Sequence, residues 1–332
     1  MTLLNLIRRP RLAVDLGSEN IRLVEAYLAG SSLRCLGART LDSDQLVNKN
    51  YFLNIIFKEK LRFKKLSLGL NSSNFKNEFL SLASLGEGEL DQIVKNKYRQ
   101  AGSGHSIIQY LSYEDREAAR TNCLVSEFEA SRLDSIRSFI SSIFLRPDKL
   151  NINNKNIVNL INFGQPVNKN YSIENKNILV LDLGSLELDI TIFRNTNISY
   201  MNRFENKLAS LLKAEGVDYG EFMDFLRGLE NIYNIEGSPG WKKLVYGYLD
   251  SIVELLRLNL SFYSREYGER ISFIILTGGF SDLPGIDNYI TSRLNKQSLV
   301  LRELKNIEGD VKLNLYGNAL GSLILKKEAR NV

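Results

Sequence analysis

The chain has 332 residues, 44% hydrophobic and 24% charged, and its 43 basic and 38 acidic side chains leave a net charge of +5. This near-balance excludes a polyelectrolyte surface and gives room for two domains, each with a substantial core. Two cysteines and one histidine exclude a disulfide framework, a zinc cluster and any dyad or metal site built on two histidines.

In chain order, Leu3, Leu4, Leu6 and Ile7 followed by Arg8, Arg9 and Arg11 form a short basic amphipathic piece, read as a frayed terminus. It lacks the continuous apolar core and small-residue cleavage site of a signal peptide, so a cytoplasmic location is expected. Residues 12–26, LAVDLGSENIRLVEA, alternate into a hairpin, and 32–38 add a third strand. The basic run KEKLRFKK at 58–65 reads as a solvated face. Strands at 66–70 and 75–82, a helix over 87–99, strands at 106–113 and 122–126 and a helix over 127–144 follow, an α+β unit inserted behind the first hairpin. Cys123 falls in a buried strand and His105 in a loop. The Asn- and Lys-rich stretch 151–177 predicts a short helix at 156–161 and an exposed loop at 164–176, with no functional role.

Residues 179–193, LVLDLGSLELDITIF, repeat the opening hairpin, with Asp182 lying 167 positions beyond Asp15 (182 − 15). Helices are predicted over 204–214, 219–229 and 241–267, then a buried strand over 271–276. Thr277-Gly278-Gly279-Phe280 is a turn that lets backbone approach a ligand closely, and helices over 284–294 and 314–327 close the chain.

Asp-Leu-Gly-Ser alone is ordinary turn chemistry. Two copies in the same hairpin context describe a duplicated half-domain. Gly17 and Gly184 permit a tight turn whose backbone N–H groups wrap phosphate oxygens, and the neighbouring carboxylate suits Mg²⁺, held directly or through water. No Gly-x-x-x-x-Gly-Lys phosphate loop and no Gly-x-Ser-x-Gly elbow is present.

These two motifs, with Leu276-Thr277-Gly278-Gly279-Phe280-Ser281-Asp282-Leu283-Pro284-Gly285 third in order, resemble the actin-like ATPase superfamily. Within it the chain most resembles the PilM-type proteins of type IV pilus assembly, by length, by the insertion after the first hairpin and by Leu315-Tyr316-Gly317-Asn318-Ala319-Leu320-Gly321 near the end. The resemblance implies an α/β, ribonuclease H-like duplicated fold. Its first half spans 1–50 and 151–177, an inserted α+β subdomain spans 51–150, the second half spans 178–215 and 270–332, and a helical subdomain spans 216–269.

It further implies ATP in the cleft between halves, with Asp15 and Asp182 orienting Mg²⁺ and water. Gly17, Ser18, Gly184 and Ser185 would meet phosphate, along with Arg22 where the family often has Lys, and Gly278 and Gly279 would lie along the nucleoside. Asp224 and Arg227 resemble the family's Glu-x-x-Lys pair at ribose and adenine; an i, i+3 surface pair is the equal alternative. Two departures imply a narrower cleft: Arg203-Phe204-Glu205-Asn206-Lys207 lacks the family's glycine turn, and Phe280 replaces a third glycine.

The expected activity is that of a scaffold, at most a weak ATPase, held at the inner face of the inner membrane by the cytoplasmic tail of a PilN-like bitopic membrane protein. That tail would sit between the first half and the insertion, and self-association is compatible with the family. A GspL-like secretion adaptor, an FtsA-like filament protein and a small-molecule kinase share the fold. No carboxylate occupies a recognisable position for a kinase's general base, and the final residues lack the amphipathic helix of the FtsA family.

Overall fold

The repeated hairpin seeds two sheets of matching order. A computed structural model describes residues 10–17, 20–42, 65–70, 75–83, 85–100, 106–115, 120–131, 134–136, 138, 147–166, 172–235, 239–324 and 330–331. In the first sheet β1 (Arg11–Leu16) pairs antiparallel with β2 (Asn20–Ala29) and parallel with β4 (Lys65–Leu70). The outer strands are β3 (Ser32–Asp42) beside β2 and β8 (Pro147–Ile152) beside β4. In the second, β9 (Asn177–Leu183) lies between antiparallel β10 (Glu187–Arg194) and parallel β12 (Phe273–Thr277), flanked by β11 (Asn197–Glu205) and β13 (Ser298–Val300). The centre strands read as unbroken apolar runs because both their faces are covered: Leu12 and Ala13, like Ile178, Leu179 and Leu181, are wholly buried.

The halves meet through two helices. α2 (Asn153–Gly164) leaves β8, and α7 (Leu313–Ser322) returns against it. Their backbones touch at Gly321, where an added Cβ would lie 3.0 Å from the Asn156 Cα and closer still to its carbonyl carbon and oxygen. One turn earlier, a Cβ on Gly317 would stand 2.7 Å from Ile157 Cδ1. Two glycines four apart therefore give α7 a bare stripe on which α2 rests. In the second half, α3 (Leu208–Glu215), α4 (Tyr219–Arg227) and α5 (Pro239–Tyr267) cover one sheet face with buried Phe222, Tyr248, Leu249, Ile252 and Leu256. α6 (Ile286–Leu294) follows, and β14 (Ile307–Glu308) then crosses to the free edge of β3.

The inserted sheet contains β5 (Phe75–Ala83), β7 (Arg120–Glu129) and β6 (Ser106–Asp115), with the chain's β15 (Arg330–Asn331) on its outer edge. Helix α1 (Glu87–Gln100) buries Leu90, Val94 and Tyr98 against Ile108, Tyr110, Cys123 and Val125. Burial pushes the Cys123 thiol up to about 12 and the Cys35 thiol up to about 11, so both behave as apolar core groups.

Several expectations are corrected. Residues 65–70 and 147–150, assigned to the insertion, belong to the first sheet, because β4 and β8 extend its parallel side. Residues 127–129 are strand rather than helix: Phe128 is buried and packs against Phe75 with tilted rings, centroids 4.9 Å apart. β11 continues through Glu205, so the next helix begins at Leu208 rather than at Phe204. Pro284 precedes α6 instead of opening it, since Gly285 at φ 91° makes the turn between them. The predicted short helix in the Asn-rich stretch is a buried twelve-residue helix. His105 and most of the basic run at 58–65 lie outside the described residues.

Candidate functional site

Both acidic turns are closed alike. The Gly17 N–H donates to Asn20 O at 3.0 Å, and the Gly184 N–H donates to Glu187 O at 3.1 Å. A Cβ at Gly17 would stand 2.6 Å from Asn20 O, and one at Gly184 would stand 2.7 Å from Glu187 O. Any side chain would spread the turn, so glycine is fixed by the backbone's approach to itself. Because each glycine's N–H closes its own turn, its contribution is tightness, which brings the neighbouring residues to the cavity. Ser185 is one of these; Ser18 lies outside the described residues.

The register sets what stands beside each carboxylate. Arg22 lies opposite Asp15 across β1 and β2, and Asp189 lies opposite Asp182 across β9 and β10. Each is seven residues beyond its aspartate, so the duplication carries a cation on one side and an anion on the other. Arg22 reaches Asp15 Oδ2 at 3.3 Å, while Asp189 is paired with Arg203 at 3.2 Å. The joining helices supply one amide each: Asn153 Nδ2 donates to Asp15 Oδ1 at 2.6 Å, and Asn318 Nδ2 donates to Asp182 Oδ2 at 2.8 Å.

The two turns face one cavity of about 60 Å³, lined by Asp15, Gly17, Arg22 and Asn153 from the first half with Asp182, Gly184, Ser185 and Asn318 from the second. Burial pushes both the Asp15 and Asp182 carboxyls above the usual carboxylate range; Arg22 pulls each down, and Asp182 pushes Asp15 further up. Two desolvated acids thus share one guanidinium, a charge deficit that a divalent cation would fill. Hard carboxylate and amide oxygens are the donor type that Mg²⁺ takes.

Beside this cavity is a second of about 630 Å³, lined by Met223, Leu226, Arg227, Gly279, Leu283, Arg302, Lys312 and Asn314 among others. Its volume falls in the range of small-molecule sites. Gly278, at φ 86°, packs its backbone on the second acidic turn, where a Cβ would stand 2.6 Å from both Leu183 N and Leu183 O. A Cβ on Gly279 would lie 4.0 Å from Arg22 Nη2, which puts Arg22 where the small and large cavities approach. Lys312 donates to Asp282 at 3.0 Å and Asn314 holds the other oxygen at 2.7 Å, fixing that carboxylate on the cavity's edge.

Neither departure closes the cleft. The Phe280 ring is buried edge-on against Tyr248 at 5.4 Å, pointing into the core of the second half. The missing glycine turn is replaced by buried Asn206, whose Nδ2 donates to Gly184 O at 2.7 Å and to Tyr248 Oη at 3.2 Å. Its Oδ1 accepts from Leu208 N at 3.0 Å and so starts α3. Of the predicted residues, Asp15, Gly17, Arg22, Asp182, Gly184 and Ser185 converge on the small cavity, and Gly279 and Arg227 line the large one. Asp224 pairs with Arg227 at 2.7 Å on the exposed face of α4 and lies off the lining. Asn153, Asn206, Asn318, Arg302 and Lys312 were not anticipated.

Two sheets of one strand order, facing acidic glycine turns and a glycine-lined second cavity constitute the actin-like ATPase fold. Solved structures bear the fold out. The chain is similar to a structure described as the PilM-PilN type IV pilus biogenesis complex, with TM-score 0.76 and 12% identity over 95% of this chain and 98% of that one. It is also similar to the ethanolamine utilization protein EutJ from Carboxydothermus hydrogenoformans, with TM-score 0.50 and 11% identity over 95% and 89%. The cytoplasmic domain of EpsL, an inner-membrane component of the Vibrio cholerae type II secretion system, aligns over 96% and 97% at 9% identity and TM-score 0.48. No protein-family model matches the sequence, and no curated protein matches it. Among the described residues no helix is long and apolar enough to cross a membrane.

Proposed function

We propose that the protein is an ATP-binding, actin-like scaffold of a type IV pilus inner-membrane assembly, sitting at the cytoplasmic face through a PilN-like membrane partner. The observation that carries this reading is the single cavity lined by both acidic turns, one from each half. A ligand there touches both halves and fixes their angle, and with it the surface offered to a partner. Mg²⁺, held by Asp15 and Asp182 directly or through water, would supply charge neutralisation for the phosphates. Gly17 and Gly184 keep the turns tight, Arg22 would supply positive charge to the phosphates, and Gly278, Gly279 and Arg227 would bound the nucleoside, with Asp224 holding Arg227 from outside the lining.

The scaffold reading is favoured over catalysis because the groups around the cavity are acids and amides already engaged with one another. The likeness to a PilM-PilN complex supports a PilN-like partner, whose tail would sit where the insertion meets the first half. Calorimetric titration with Mg·ATP tests the reading. Wild type is expected to bind, and Asp182→Ala to lose about tenfold in affinity, roughly 1.4 kcal/mol. Equal binding by both would refute it.

A further inference from the structure

The long helix α5 carries an apolar stripe that the nucleotide cleft does not use. Its core side is occupied by Tyr248, Leu249, Ile252, Val253 and Leu256, all buried. Leu255, Leu258 and Phe262, spaced three and four apart, follow a second line along its flank. Leu258 is 61% exposed, the most of any large apolar side chain among the described residues, and Phe262 is 38% exposed. The Phe262 ring is backed by Tyr200 of β11, centroids 5.6 Å apart, and Tyr200 Oη donates to Asn259 Oδ1 at 2.9 Å. An exposed leucine alone is ordinary, but a leucine and a phenylalanine one turn apart, set against a fixed tyrosine, form a patch.

The charges beside the stripe indicate what covers it. Glu254, Arg257, Arg265 and Glu266 are all exposed and sum to zero, which gives an anionic bilayer or a nucleic acid little to hold. Their order is self-complementary. Glu254 and Arg265 stand eleven residues apart (265 − 254), three turns of helix, and so share one flank of the stripe. The midpoint of that pair falls between Asn259 and Leu260, and the midpoint of Leu258 and Phe262 falls at Leu260. A two-fold axis at this point lays α5 antiparallel on the α5 of a second copy. Each Leu258 then meets a Phe262 and each Glu254 an Arg265, with Tyr200 of both copies beside the axis. Glu254 now pairs with Arg257 at 2.6 Å, an exposed i, i+3 contact that is cheaply exchanged. We propose that this flank of α5 is a homodimer interface, its occupant the same flank of another copy. The proposal stands apart from the nucleotide reading.

Sedimentation velocity of the full chain without nucleotide, over about 1–200 µM, tests it. Wild type is expected to pass from monomer to dimer within that range. Leu258→Asp, at a position too exposed to disturb the core, is expected to stay monomeric with its Tm unchanged. Glu254→Arg and Arg265→Glu set like charges together, and each should raise the dimer Kd about tenfold. The double variant restores opposite charges and should return to within about threefold of wild type. A wild type that remains monomeric throughout would overturn the proposal. So would a dimer that Leu258→Asp leaves intact, or a double variant that associates no better than the single ones. Co-sedimentation with phosphatidylcholine–phosphatidylglycerol vesicles checks the other occupant: binding by a monomer that Leu258→Asp abolishes would make the stripe a membrane contact and overturn the dimer.

Discussion

Replacing Gly321 by alanine places one methyl group into the closest approach between α2 and α7. The new carbon would lie 3.0 Å from Asn156 Cα and nearer still to that residue's carbonyl, with backbone rather than a movable side chain in the way. Carbon atoms rest at about 3.5–4.0 Å, so the helices must separate by roughly 1 Å or more along a contact that buries Ile157, Leu160, Ala319 and Leu320. Overpacking of this kind costs about 3 kcal/mol, which for a chain of 332 residues corresponds to a fall in Tm of about 4–5 °C. Thermal denaturation followed by circular dichroism reads it. Gly247→Ala is the control, because Gly247 sits in α5 with nothing within 4 Å of an added Cβ, and its Tm is expected to hold or rise slightly. A Gly321→Ala protein as stable as wild type would show that α7 does not rest on α2 as described.

The acidic cavity makes a prediction about pH. Asp15 and Asp182 have folded-state values raised by burial, so between the ordinary carboxylate range and those raised values the folded chain holds more protons than the unfolded one. Their contribution to stability therefore grows as pH falls through the raised values and is lost as pH rises above them. Without nucleotide, Asp182→Asn is expected to be more stable than wild type at neutral pH, the gap narrowing on acidification; a constant gap from pH 7 to 4 would contradict this. Asn206→Ala removes three hydrogen bonds around the Gly184 turn and should cost about 2–3 kcal/mol in chemical denaturation, against no change if the turn holds itself. Asp224→Ala removes only an exposed pair and should leave Tm unaltered, while Arg227→Ala should weaken Mg·ATP binding. Iodoacetamide at pH 8 should label Cys35 and Cys123 only after denaturation, as mass spectrometry would show.

The backbone of the site was legible because it follows from glycine geometry. Gly17 and Gly184 cannot be other residues, and their shared spacing from Asp15 and Asp182 exposes the duplication to simple inspection. The asparagines were not legible. A run of polar residues suggests a solvated surface, and 151–177 reads as a short helix at 156–161 and an exposed loop at 164–176 with no functional role, whereas Asn153, Asn154, Asn156 and Asn159 are buried at the join. Asn206 was hidden for a different reason: the family's pattern places glycines there, and an amide that reaches Gly184 O does the same work by another route. Phe280 looked obstructive because a sequence gives size but not direction; its ring turns to Tyr248. The misplaced helix starts at 127 and 204 share one cause. Phe128 and Phe204 fit a helical stripe and a strand face equally well, and long-range pairing with β5 and β10 decided for strand.

A crystal structure of the full chain with Mg²⁺ and a non-hydrolysable ATP analogue tests the central claim most directly. Its phosphates are expected between the Gly17 and Gly184 turns, with Asp15 and Asp182 on opposite sides, Arg22 swung off Asp15 and the base in the cavity bounded by Gly279 and Arg227. An analogue bound elsewhere on the surface, with Arg22 still on Asp15 and the two turns unchanged, would contradict it.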